Sequence, residues 1–127
     1  DIDGLITETL YRVYAKIPAE WKVQSESDAK RHFMLFMEML GAKVFAEDSS
    51  ARGYADAVIE TSRNVWIFEF KFNKSVRAAV AQIRAKGYAD PYRADRRPVT
   101  LVGINFRATK RNIDEPLIVP FYGKEKH

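Results

Sequence analysis

The chain has 127 residues, enough for one compact core and too few for two ordinary domains, so residues 1–127 are read as a single domain. Hydrophobic residues make up 46% and charged ones 30%, which argues against disorder, and no apolar run reaches the roughly 18 residues of a membrane-spanning helix. The absence of cysteine excludes disulfides, thiolate metal sites and cysteine nucleophiles, and the net charge of +4 suits a phosphate-bearing partner without specifying one.

Ile2, Leu5, Ile6, Leu10, Val13, Tyr14 and Ile17 recur at helical spacing and predict a helix over residues 3–16, ended by Pro18. The sequence opens on Asp1 directly before that segment, which reads as a domain cut from a longer polypeptide; with no basic-then-apolar leader, a cytoplasmic location is the expectation. Phe33, Phe36, Met37 and Leu40 mark one face of a second helix, starting near Ser25 or Ser27 and closed by Gly41. The period then changes, and residues 44–46 read as a short strand followed by a loop over 47–53. Residues 55–60 and 65–72 are rich in branched and aromatic side chains and predict two strands joined by the turn Thr61-Ser62-Arg63-Asn64. After Asn73 a helix is expected to about Lys86, with Val76, Ala79, Val80 and Ile83 as its apolar stripe and Gly87 as its stop. Pro98 precedes a nearly continuous apolar run over 99–106, the pattern of a strand buried on both faces. A further strand is expected near 117–121. Strand, helix, strand implies a parallel crossover, so the expected fold class is α/β, with a mixed central sheet combining an antiparallel hairpin and a parallel crossover, flanked by helices.

The hairpin carries the chemistry. If Glu60 faces Val65 across the turn, Asp56 lies opposite Glu69 on the neighbouring strand. Directly opposed residues in an antiparallel pair have Cβ atoms about 4.5 to 5.5 Å apart, close enough for two carboxylates to reach one cation. Strand periodicity puts Lys71 on the same face and Trp66, Phe68, Phe70 and Phe72 on the other, which must be covered by a hydrophobic layer. Hard oxygen ligands from two acids suit Mg2+ or Mn2+, which polarises a phosphodiester and lowers the pKa of a bound water. Lys71 could orient that water or offset charge on the pentacovalent transition state. Against this stands a self-neutralising ion cluster; two acids and one base, however, leave a charge that is costly to bury.

Gly53 to Glu60 and then Val65-Trp66-Ile67-Phe68-Glu69-Phe70-Lys71 resemble the core of the PD-(D/E)XK nuclease superfamily. Ala81-Gln82-Ile83, Lys86-Gly87-Tyr88-Ala89 and Leu101-Val102-Gly103-Ile104-Asn105-Phe106 resemble, further, the branch found at the C-terminal end of bacterial AAA-type ATPase-like proteins. The resemblance runs from about Ile17 to Asn112 and implies a restriction-endonuclease-like core. It implies Asp56, Glu69 and the Phe70 carbonyl as metal ligands, Lys71 as the catalytic lysine, Gln82 as an accessory catalytic position, and Tyr88 with Lys86 as substrate-binding positions. An acid from the early helix often completes such sites; Glu26 is the first candidate, with Asp28 and Glu47 behind it. Tyr54 stands where many members of the branch have Arg.

The expected function is divalent-metal-dependent hydrolysis of nucleic acid, with DNA as the first choice, Mg2+ or Mn2+ as cofactor, and an ATPase domain in the same full-length chain as a partner. Two other classes remain: a nuclease-fold module that binds nucleic acid or a partner with catalysis weak or lost, and a nuclease toxin module. The plainer readings make Gln82 an exposed helix position, Tyr88 a packing residue, and His32 a surface or half-buried residue. Arg93, Arg96, Arg97, Lys110 and Arg111 read first as solvated loop charges rather than as a grip on a phosphate backbone.

Overall fold

The structure is a computed structural model that describes residues 25–44 and 55–121 together with four single positions, Gly4, Glu8, Thr9 and Arg12. Those four are helical; the remainder of the expected 3–16 helix, and the expected loop over 47–53, lie outside the described residues.

Helix α1 (Glu26–Met39) begins where a serine can cap it: the Ser25 hydroxyl accepts the Asp28 backbone N–H at 3.2 Å. Gly41, at φ +89°, takes the left-handed turn that ends it. Strand β1 (Lys43–Val44) pairs antiparallel with β2 (Ala57–Glu60), which pairs antiparallel with β3 (Val65–Phe72). The hairpin register runs from Ala57 opposite Phe68 to Glu60 opposite Val65, the pairing expected from the sequence. Its turn is held by the Thr61 hydroxyl, which accepts the Arg63 and Asn64 N–H groups at 3.1 and 3.0 Å.

Helix α2 (Val76–Ala85) is capped by Ser75, whose hydroxyl accepts the Ala78 N–H at 3.0 Å, and is stopped by Gly87 at φ +67°. It is the crossover to β4 (Val99–Arg107), which lies parallel to β3 from Val65 opposite Val99 to Phe72 opposite Phe106. On the far edge of β4, β5 (Asn112–Ile113) and β6 (Leu117–Pro120) both pair antiparallel with it. The strand β5 and a single 3-10 turn (Asp90–Tyr92) were not expected; elements of two and three residues are too short to leave a period in the sequence.

The alternation of β3 divides the core. Trp66, Phe68 and Phe70 pack with Val102, Ile104 and Phe106 of β4 under Ala29, Phe33 and Met37 of α1. The Phe33 and Phe70 rings meet at 5.0 Å. On the opposite face, Val65, Ile67, Val99 and Leu101 pack against Val80 and Ile83 of α2. Continuing along that second face the residues turn polar, with Glu69 beside Gly103 and Lys71 beside Asn105.

Gly103 sets how low α2 sits. A Cβ there would fall on the Val76 carbonyl oxygen and lie 2.9 Å from Val80 Cγ2. Because the first obstacle is backbone, Gly103→Ala must lift the helix. We expect a stability loss of about 1–3 kcal/mol in urea unfolding, the usual cost of overpacking; a change below about 0.5 kcal/mol would show that α2 is not held by this contact.

Candidate active site

Asp56 immediately precedes β2, one residue beyond the last paired position, Ala57 opposite Phe68, which brings it beside Glu69. The two carboxylates are 5% and 4% exposed. Charged groups so far from water need partners, and each acid finds a different kind. Asp56 Oδ2 accepts the Phe70 backbone N–H at 2.7 Å, and Oδ1 pairs with Lys30 Nζ at 2.9 Å. Glu69 Oε2 accepts Gln82 Nε2 at 2.6 Å, while Gln82 Oε1 accepts Lys71 Nζ. The same Gln82 nitrogen lies 3.5 Å from the Tyr88 hydroxyl. The amide of Gln82 is thus oriented at both ends, its nitrogen toward the acid and its oxygen toward the lysine.

Glu69 is the less well satisfied acid. Its Oε1 is buried and has no hydrogen-bond partner among the described residues. Burial, and then the negative charge of Asp56, push its carboxyl up to about 8, against the opposing pull of Lys71, Lys30 and the Asp56 backbone N–H. An orphaned carboxylate oxygen beside a second carboxylate is a donor set that fits a hard divalent cation, with water completing the shell. Asp56 and Glu69 are the side chains that could hold such an ion.

Placement of the other expected residues is mixed. Gln82 and Tyr88 are half-buried beside the acids, whereas Lys86, at the end of α2, is exposed. Glu26 is exposed in the first turn of α1, and among the described residues no three of His, Asp and Glu gather to hold a metal. Asp28 approaches Arg31 at 3.6 Å; Glu47 and Tyr54 lie outside the described residues. What α1 does bring to Asp56 is a base. Lys30 follows the fully buried Ala29, and its side chain, 17% exposed, brings the ammonium to Asp56. Among the described residues two acids now face two lysines, where the hairpin alone offers one.

Asn105 was read as part of an apolar run, yet it is a fully buried polar residue. Its side chain accepts the Lys74 N–H at 2.9 Å and donates to the Lys74 carbonyl and to Asp114, tying down the chain just beyond Lys71. A polar residue inside a buried strand was the available signal. Three of the five basic loop residues are engaged within the fold. Arg97 binds Glu60, Asp95 and the Thr61 carbonyl, Arg93 pairs with Asp90 and covers the Phe121 ring, and Lys110 pairs with Asp114. Arg96 and Arg111 are exposed. His32 is half-buried, with Nδ1 lacking a partner.

A family model described as the PD-(D/E)XK nuclease superfamily matches residues 24–116, a span from α1 through β5 that contains every side chain of the cluster. The chain belongs to this superfamily. Its mixed sheet with a helix on each face is the restriction-endonuclease-like α/β fold of these nucleases. The PD-(D/E)XK chain is also 32% identical over 121 residues to the protein named "Uncharacterized protein in vnfD 5′ region" from Azotobacter chroococcum mcd 1. That match covers 89% of the chain and 23% of the relative, so the chain spans less than a quarter of the curated protein it matches. No solved structure matches it. No helix among the described residues is long and apolar enough to cross a membrane.

A carboxyl raised from 4.5 to about 8 by folding makes the folded state bind a proton that the unfolded chain releases. The stability linked to Glu69 is therefore fully present below pH 4.5 and lost as the pH rises toward 8. With chelator present, urea unfolding should show this loss, on the order of a few kcal/mol, in the natural chain, while Glu69→Gln shows a shallower dependence over the same window. Parallel curves for the two proteins would mean that Glu69 is ionised at no cost.

Proposed function

We propose that the domain is a divalent-metal-dependent nuclease acting on nucleic acid, with DNA as the substrate of first choice. The observation that carries the reading is the orphaned Oε1 of Glu69, buried beside Asp56 and within the amide bridge that joins Glu69 to Lys71. Superfamily membership suggests the same reaction class.

Asp56, Glu69 and the Phe70 carbonyl would hold Mg2+ or Mn2+, which supplies Lewis-acid activation of the phosphodiester and an acidified water. In the reaction the water oxygen bonds to phosphorus, the bond to one sugar oxygen breaks, and a proton goes to that leaving oxygen. Lys71, held by the Gln82 oxygen, would stand beside the attacked phosphorus, to offset charge on the pentacovalent transition state or to orient the water. Gln82 keeps Lys71 and Glu69 in register with each other, and Tyr88 limits the rotation of the amide. Lys86, exposed at the end of α2, is available to a phosphate further along the strand.

A second reading draws on the charge balance. Lys30 pairs with Asp56 and Lys71 stands near Glu69, so the acids have cations of the protein's own, as they would in a nuclease-fold module that binds nucleic acid or a partner next to an ATPase and cleaves little. Cleavage of plasmid and single-stranded DNA with Mg2+ or Mn2+ separates the two. Asp56→Asn, Glu69→Gln and Lys71→Ala should each lower the rate by about 10²-fold or more, and Gln82→Ala by about 10- to 100-fold. Rates equal in all variants, or no cleavage by the natural chain, would leave the binding module standing.

A further inference from the structure

We propose that Lys30 is a built-in competitor of the divalent ion: its ammonium occupies the cation position at Asp56, and metal binds only by displacing it. The inference rests on the metal-site reading above and assigns a residue that determines metal affinity.

Three observations lead there. First, Lys30 Nζ lies 2.9 Å from Asp56 Oδ1, the Asp56 oxygen turned away from the Phe70 N–H, so an ion ligated by that oxygen and the ammonium would claim the same side of the carboxylate. Two positive charges at such separation repel strongly where the surroundings are poorly hydrated. Second, the position is built. Ala29, Phe33 and Met37 fix α1 on the aromatic face of the sheet, and the Lys30 stem can reach Asp56 only because that helix is anchored beside it. Third, the displaced head has somewhere to go. Lys30 is partly exposed, and Glu26, exposed one turn earlier on the same helix, stands in the favourable acid-before-lysine spacing of an i,i+4 pair. Metal entry is thus an exchange: the ammonium leaves Asp56 for Glu26 and solvent, and the divalent ion takes its place. Without metal, Lys30 keeps the acid pair from being an unpaired buried charge.

The test is Mn2+ binding, read as free Mn2+ by electron paramagnetic resonance, together with melting temperatures with and without metal. Lys30→Met keeps the stem and removes the charge. It should bind Mn2+ at least about tenfold more tightly than the natural chain while melting lower in chelator, with metal restoring the difference. Lys30→Arg, which keeps the charge, should stay close to the natural chain. A merely structural lysine would lower the melting temperature and leave Mn2+ affinity unchanged or weaker, and that result would overturn the inference while the metal site stands. If no variant and not the natural chain bind Mn2+ at millimolar concentration, the metal-site reading falls and this one with it. Should Lys30→Met fail to fold, the 15N ammonium resonance that Lys30→Arg removes gives the same answer in the natural chain. It should move on Mg2+ saturation; an unmoved signal rejects the exchange.

Discussion

Two carboxylates are buried side by side with little access to water, and the surrounding structure is arranged around that constraint. An ionised acid without partners in such a place would cost several kcal/mol, and each raises the cost of the other. The fold answers unequally. Asp56 receives a backbone N–H and a full cation, whereas Glu69 receives a neutral amide and meets its cation through that amide. The difference in partners leaves one oxygen of Glu69 bare and its carboxyl reluctant to ionise.

Holding that inequality requires a rigid frame, which β3 provides. Its even-numbered residues, Trp66, Phe68 and Phe70, are clamped under α1, and the period of two then leaves Glu69 and Lys71 no choice but the α2 face. A slip of one residue would drive Glu69 under Phe33 and expose the aromatics, so the hydrophobic layer and the polar cluster enforce the same register. Gly103 completes the frame from the other side, since only a strand residue without a Cβ lets α2 descend far enough for Gln82 to reach between the acid and the lysine.

Most of this was legible because it follows from short periods. The four-residue turn set the hairpin register that brings Asp56 beside Glu69, the alternation along 65–72 separated aromatic from charged positions, and glycines marked the ends of α1 and α2. Lys30 was not legible. Neighbours across a sheet follow from counting residues, but which side chain of α1 reaches Asp56 depends on the rotation and axial position of the helix, set by Ala29, Phe33 and Met37 as they seat on the sheet. Glu26 and Lys30 lie on the same side of the helix, about one turn apart, and a choice between them from sequence turns on about 6 Å of axial position. Asn105 escaped for a related reason: a single amide in an apolar strand gives no hint of the loop backbone that it will hold.

The reason for expecting a cation also changes once the chain is folded. On the strand pair alone, two acids and one lysine leave a negative charge unbalanced, and a metal would balance it. Lys30 removes that imbalance, so net charge no longer calls for an ion. What fits one is local: among the described residues Glu69 Oε1 has no hydrogen-bond partner, although positive charge is held nearby on Asp56 and on Gln82. Neutrality of a cluster and satisfaction of its atoms are separate conditions, and this one meets the first without the second. A cluster serving stability alone would gain by closing that gap with one more donor, and an open gap is where water or a ligand can supply the missing contact.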